Sequence, residues 1–252
     1  MNPTNNISFL KVFNNKEIIL DFINSALSTI VVEEIITIRT DSSIPPPTYE
    51  GKVCIADIWC KSNAENIFIV EMQLTSHEGF PERVDFYSSR TFCDSIKSEE
   101  EYRKLKPVYL IVVCGFNMFP RKSWYSHHQM IDVFELKKYL GQPLSQDMIC
   151  QDFKMREFVV LQLPKFNESI DTLDSSMKWW MFYFKNASNL SEEEIASIRQ
   201  KNTVVNSAIE ALRRNNFTEE EYNIYATSED LLRLENGKRD EVHTLKSYVM
   251  SS

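Results

Sequence analysis

The sequence predicts an α/β fold in which a sheet-containing core is followed by a helical C-terminal part. Two apolar segments, 53–60 and 67–74, are separated by a short polar stretch, as in an antiparallel hairpin. A segment with helical spacing follows at 81–96, and a continuous apolar run at 109–114 returns to the pattern of a buried strand. This order of helix and strand is typical of a sheet covered by helices.

The N-terminal segment 7–30 predicts one or two helices, because its apolar residues recur at three- and four-residue steps. The pattern is interrupted at Asn14 and Asn15. A strand is expected at 31–39. The run of three prolines within 42–48 predicts an extended linker, because proline fits neither a helix interior nor a strand ladder.

The last third of the chain has the pattern of helices. Two segments of the form S/T-x-x-E, beginning at Ser191 and Thr218, fit the capping box that satisfies free amides at a helix start. We therefore expect a sheet-containing domain over 1–165 and a helical region over 166–252, without internal repeats.

The composition excludes some functions and leaves others open. Only five glycines occur, widely separated, so neither a GxGxxG turn nor a P-loop is present. The formal net charge of −8 gives no bulk electrostatic attraction to nucleic acid. The net charge does not exclude a local basic cleft. It also omits the positive charge that a bound metal ion would add.

The cysteines and the apolar runs predict a cytoplasmic protein without a membrane segment. The five cysteines are scattered and lack CxxC spacing, so neither disulfides nor a thiolate zinc site is expected. The N-terminus lacks the pattern of a signal peptide. The longest apolar run, 109–116, is far shorter than the roughly 20 residues that cross a bilayer.

Three polar residues interrupt the apolar faces of the hairpin. By the two-residue period of a strand, Asp57 is in phase with the apolar residues of the first strand, and Glu71 and Gln73 with those of the second. Buried neighbouring carboxylates repel each other and require a cation or a hydrogen-bonding network. Carboxylate oxygens suit Mg²⁺ or Mn²⁺, but the spacing alone favours carboxylates that are exposed or paired with Arg or Lys.

Two arginines on the predicted helix at 81–96 are seven residues apart and share one face. Arg83 and Arg90 could contact phosphate oxygens of DNA by bidentate hydrogen bonds. Ion pairs with acidic residues of the same helix are the equal alternative.

Other residues with catalytic chemistry favour ordinary structural roles. His77, His127 and His128 lack zinc-site spacing, and the histidine pair is expected in a loop on the polar surface. The aromatic residues within 179–184 have helical spacing, which predicts core packing more than base stacking.

The stretch 49–119 also carries a resemblance to a known family. It reads YEGKVCIADIWC, then IFIVEMQ, then a helical segment with Arg83, Tyr87 and Arg90, then EYRKLKPVYLIVVCGFNMF. These segments resemble the PD-(D/E)XK nuclease family transposases, which include the bacterial recombination-promoting nucleases. The similarity extends more weakly to SFLKVFNNKEIILDFINSAL, to LQLPKF and to residues 180–184.

The resemblance implies a restriction-endonuclease-like core with a central mixed sheet flanked by helices. It implies metal-dependent hydrolysis of phosphodiester bonds in DNA, with Asp57, Glu71 and Gln73 as the active site. Asp57 and Glu71 would hold Mg²⁺ or Mn²⁺, the Met72 backbone carbonyl would add a ligand, and Gln73 would position the attacking water. Cutting both strands would suit a homodimer, whose symmetry matches that of the duplex.

Departures from the family pattern keep other functions open. Asn6 stands where the family has an acidic residue, and Leu10 stands where it has lysine, with Lys11 one residue later. Related nucleases can carry an extra acidic group on the first helical segment, but a solvent-facing role is favoured for Glu17. The alternatives are an inactive, mobile-element-derived module that binds nucleic acid or protein, and an interaction module with no link to nucleic acid.

Overall fold

The computed structural model describes residues 1–44, 54–132 and 155–250. The strands in these ranges are β1 (Ile35–Ile44), β2 (Cys54–Ser62), β3 (Ile67–Gln73), β4 (Val108–Cys114), β5 (Tyr125–His128) and β6 (Arg156–Gln162). The α-helices there are α1 (Asn6–Phe13), α2 (Lys16–Ala26), α3 (Phe80–Cys93), α4 (Ser176–Asn186), α5 (Glu192–Lys201), α6 (Thr203–Ala211) and α7 (Glu219–Met250).

The six strands form one mixed sheet in the order β1-β2-β3-β4-β6-β5. Strand β2 runs antiparallel to both β1 and β3, whereas β3, β4 and β6 run parallel to one another. Strand β5 closes the other edge antiparallel to β6. The predicted hairpin is therefore confirmed as β2 and β3, and the predicted α/β class is confirmed by helices on both faces.

One face of the sheet is covered by α1, α2 and the C-terminal helices, which share one apolar core. Asn5 and Asn15 cap α1 and α2 with their side chains, which explains the break predicted between two N-terminal helices. Phe13 of α1 stacks near Trp180 of α4, with ring centroids 5.5 Å apart. Trp180 also donates a hydrogen bond to Asp21, so the predicted core role of the aromatic segment is confirmed.

The other face is covered by α3, which packs a smaller apolar cluster against β3, β4 and β6. Phe80 and Val84 of α3 are buried there with Ile69 of β3. Side chains alternate between the faces of a strand, so residues in phase with Ile69 face α3.

Two of the C-terminal helices begin at the predicted capping residues. Ser191 and Glu194 form the reciprocal bonds of a capping box at α5, and Thr218 and Glu221 do the same at α7. Lys11 of α1 forms an ion pair of 2.8 Å with Glu221, which ties α7 to the N-terminus. No helix in the described part of the chain is long and apolar enough to span a membrane.

The strand expected at 31–39 is β1, which begins and ends later than predicted, at Ile35 and Ile44. Its antiparallel partner β2 supplies ladder positions for Ser42 and Ile44, so the linker expected at 42–48 was wrong for its first three residues. Residues 45–48 and Val53 lie outside the described ranges.

The prediction of a loop around His127 and His128 was also wrong. Both residues lie in β5, which pairs with β6 at the edge of the sheet. His127 hydrogen-bonds to the buried Glu157 at 2.7 Å, and Thr29 donates to the same carboxylate at 2.9 Å. Burial alone would raise the pKa of Glu157, but these bonds outweigh it and hold the pKa below its ordinary value. His127 is therefore part of the interior.

Gly115 follows β4 and permits a close backbone approach at the end of β3. Its N–H donates to the Gln73 carbonyl at 2.8 Å. A Cβ at Gly115 would lie 2.8 Å from the Leu74 carbonyl oxygen and 2.9 Å from the Leu74 Cα. Only glycine therefore fits here without moving the strand end that carries Glu71 and Gln73.

We predict that Gly115→Ala destabilises the protein by about 1–3 kcal/mol, the usual cost of crowding a packed site. Urea unfolding would measure this. Gly79→Ala is the control, because its Cβ meets no atom within 4 Å and only the left-handed φ of 77° opposes it. An unchanged urea midpoint for Gly115→Ala would contradict the proposed close approach.

Candidate functional site

Asp57 and Glu71 lie next to each other where the β2–β3 ladder ends. The Ile58↔Val70 pair is the last in the register, and one step further places Asp57 opposite Glu71. The Asp57 N–H donates to Glu71 Oε1 at 3.3 Å, and the Met72 N–H donates to Asp57 Oδ2 at 2.8 Å. Each carboxylate thus accepts from the backbone of the other strand, where ladder bonds would otherwise continue.

The environment of Glu71 disfavours its charge. Its side chain faces α3 and only 5% of the residue is exposed. Burial raises the pKa of Glu71 well above its ordinary value, and the neighbouring Asp57 charge raises it further. The Asp57 N–H and the Arg83 guanidinium act in the opposite direction without outweighing these effects. A cation between the carboxylates would relieve both burial and repulsion.

Gln73 lies one pleat beyond Glu71 and is held at both ends of its amide. Its Nε2 donates to the Thr75 carbonyl at 3.0 Å, and Arg83 Nη2 donates to its Oε1 at 2.6 Å. The two bonds fix which end of the amide faces α3, because Arg83 can only donate.

Arg83 is itself held by aromatic rings. Its guanidinium lies 5.0 Å from the ring centroid of Phe80 and 5.7 Å from that of Tyr87. Phe80 and Tyr87 are three residues before and four after Arg83, so the helical period places all three together. The structure thus brings Arg83 to the hairpin residues.

Arg90 has a different environment. It forms an ion pair of 3.0 Å with Asp94, four residues later, and its side chain is 15% exposed. This is the same-helix pairing that the sequence left open. A phosphate contact by Arg90 stays a prediction.

The donors at the hairpin suit a hard divalent cation. Asp57 and Glu71 supply carboxylate oxygens, and the preference of Mg²⁺ for few protein ligands plus water and phosphate matches a pair. In residues 1–44, 54–132 and 155–250, no group of three or more His, Cys, Asp or Glu side chains is placed to hold a metal. Within these ranges, backbone, water and substrate would supply the remaining ligands.

Thiol chemistry fits the three strand cysteines poorly. Cys54, Cys60 and Cys114 are buried in strands, and burial raises the pKa of each thiol, to about 12 for Cys114. A protonated, buried thiol is a poor nucleophile.

Glu17 belongs to a helix on the sheet face opposite α3. It is exposed at the first turn of α2, and the buried residues of α2 belong to the core on the face opposite α3. The solvent-facing role favoured for this residue agrees with its position.

A groove that the sequence analysis missed opens beside these residues. It has a volume of about 590 Å³ and is lined by His77, Glu78, Gly79, Glu82, Arg83, Phe86 and Tyr87. Arg83 belongs both to the groove and to the contact with Gln73. The sequence feature that could have indicated this groove is the pair Phe86 and Tyr87, three and four residues after Arg83 and therefore on the same side of the helix.

A comparison with known protein families matches residues 3–240 to the family described as PD-(D/E)XK nuclease family transposase. The chain belongs to this family. Its mixed sheet with helices on both faces is accordingly a restriction-endonuclease-like fold with a helical C-terminal part. PD-(D/E)XK nucleases generally use divalent metals, and the family supports a nuclease-like or mobile-element role. No curated protein and no solved structure matches the chain.

The raised pKa of Glu71 predicts how stability depends on pH without metal. Between the ordinary pKa of 4.5 and the raised value, the folded protein binds more protons than the unfolded chain, so Glu71 lowers stability as the pH rises. We predict that Glu71→Gln is more stable than the unsubstituted protein at pH 7 in EDTA. The difference should shrink as the pH falls towards 4.5.

Glu65→Gln is the control with the opposite sign. Hydrogen bonds from Lys106 and Lys61 lower the pKa of Glu65 to about 2, so its contribution is present at neutral pH and lost in acid. Glu65→Gln should therefore be less stable than the parent at pH 7. Urea unfolding at several pH values measures both, and a destabilised Glu71→Gln at pH 7 would contradict the account.

Proposed function

We propose that the chain is a metal-dependent endonuclease that hydrolyses phosphodiester bonds in DNA. The observation that carries the proposal is the buried Glu71 carboxylate beside Asp57 at the end of two strands. Such a pair is costly without a cation, and active sites are where such costs are tolerated. Membership of a nuclease family supports a DNA substrate.

Asp57 and Glu71 would hold the ion, with the Met72 carbonyl as a further ligand. The Met72 N–H points to β2, where it meets Asp57, and the carbonyl of the same strand residue points to the same side. Bound Mg²⁺ or Mn²⁺ would supply an activated water and neutralise charge on the scissile phosphate.

Gln73 would position the attacking water. Its Oε1 accepts from Arg83 and retains a second lone pair for a water hydrogen. An amide is not a useful base, so hydroxide or solvent would have to take the proton. Arg83 and Arg90 would contact phosphate oxygens, and Arg83 has the better position because it already touches Gln73.

The inactive-module alternative rests on the net charge and on the N-terminal departures. Leu10 is buried in the core that covers the face opposite α3, and Asn6 begins the same helix. Both departures therefore belong to a helix on the face opposite α3, whereas the Glu71 side chain faces α3, which favours the nuclease proposal.

We propose a homodimer on DNA, because two active sites related by symmetry suit the two strands of a duplex. Light scattering after gel filtration, with and without DNA, tests this. A monomer in both conditions would count against it.

We predict metal-dependent cutting of supercoiled plasmid by the purified protein in Mg²⁺ or Mn²⁺. Asp57→Ala and Glu71→Ala should each lower the rate by about a thousandfold or more, because several kcal/mol of charge stabilisation are lost. Glu17→Ala, in an exposed carboxylate elsewhere, should cut normally. Cutting that survives in both hairpin variants would assign the activity to other residues or to a contaminant.

We predict that Arg83→Ala lowers the cutting rate by about tenfold or more, since the Gln73 amide loses its anchor and substrate loses a charged donor. Calorimetry should show Mn²⁺ affinity retained, because Arg83 is a cation and not a ligand. Arg90→Ala is the matched control and should have the smaller effect, because Arg90 is paired with Asp94. Equal effects of the two variants would exclude a special role for Arg83.

A further inference from the structure

The groove beside α3 has walls suited to an aromatic ligand. Phe86 is 42% exposed and lines the groove together with Tyr87. The His77 ring stands edge-on to Phe80 at a centroid distance of 5.4 Å. The groove volume of about 590 Å³ lies within the roughly 300–1,000 Å³ typical of small-ligand sites.

Arg83 connects the groove to Gln73, which lies one pleat beyond Glu71. This side chain lines the groove, touches Gln73 at 2.6 Å and contributes to the electrostatic environment of Glu71. A strand whose phosphate reached Asp57 and Glu71 would pass Arg83 and could place a neighbouring nucleotide at the groove.

The charges of the groove favour a base over a phosphate. Glu78 and Glu82 line it together with Arg83, so its formal charge is negative. Carboxylates repel phosphate but accept hydrogen bonds from the amino groups of bases. Tight duplex binding usually needs many Lys and Arg contacts, which a chain with net charge −8 does not offer in bulk.

We propose that this groove receives one unpaired base of the DNA strand next to the cleaved phosphate, by stacking on Phe86. The preferred substrate is then DNA with unpaired nucleotides, such as a single strand, a fork or a frayed end, over continuous duplex. The inference rests on the proposed nuclease function for the position of the strand, whereas the stacking itself can be measured without hydrolysis.

The binding experiment uses the full chain in EDTA and a fluorescent 12-nucleotide strand, alone or in a blunt duplex, with fluorescence anisotropy. The strand should bind about tenfold more tightly than the duplex, and Phe86→Ala should remove about tenfold of strand affinity, the size of one base–aromatic stack. Phe86→Tyr should retain the affinity. Phe86→Leu, which keeps apolar bulk without a ring, should behave as Phe86→Ala.

Tyr102→Ala is the matched control, because Tyr102 is 85% exposed and lies outside the groove. It should leave strand affinity unchanged. Equal affinity for strand and duplex, or no effect of Phe86→Ala, would overturn the inference.

Cleavage in Mn²⁺ of a fork and of a blunt duplex separates this inference from the proposed function. Cutting beside the unpaired nucleotides that weakens in Phe86→Ala supports both. Equal cutting of fork and duplex, unaffected by Phe86→Ala, overturns the groove inference alone. If no DNA is cut while strand binding still depends on Phe86, the proposed function fails and the groove inference stands.

Discussion

The reciprocal hydrogen bonds between the β2 and β3 backbones and the Asp57 and Glu71 carboxylates are the constraint on which the site depends. Antiparallel strands normally continue to bond through their backbones. Here the Asp57 and Met72 N–H groups are satisfied by side chains, so two carboxylates are held together at the point where the ladder stops. The cost is a buried acid whose pKa is raised by burial and by its neighbour.

The rest of the fold holds these strand ends in place. The parallel strand β4 aligns Glu71 with Val112, and Gly115 brings the chain close to the end of β3. The aromatic core of α1, α2 and α4 covers one face of the sheet, and the candidate site lies on the other face, beside α3. Helix α3 then contributes Arg83, whose contact with Gln73 joins the end of β3 to the adjacent groove.

The hairpin and its two carboxylates could be predicted from the sequence, because both depend on local periodicity. The two-residue period put Asp57 and Glu71 in phase with apolar residues of their own strands, and the hairpin made them neighbours. The face expected to be buried around Asp57 is only partly so, because Ile55 in the same phase is 51% exposed. Tertiary contacts could not be predicted in this way. The Arg83–Gln73 bond depends on how α3 crosses the sheet, and the four residues of β5 carry too little pattern to distinguish a strand from a loop. His127 was misplaced because its partner Glu157 is 30 residues away in sequence.

The most direct test of the central claim is the anomalous difference density of crystals soaked in Mn²⁺. The account predicts one ion between Asp57 and Glu71, within about 2.0–2.2 Å of a carboxylate oxygen of each, as expected for a small divalent ion with oxygen ligands. Crystals with no ion there, at Mn²⁺ concentrations that support cleavage of DNA, would contradict it. The carboxylate pair would then be a structural feature of the hairpin, and the metal site would lie elsewhere.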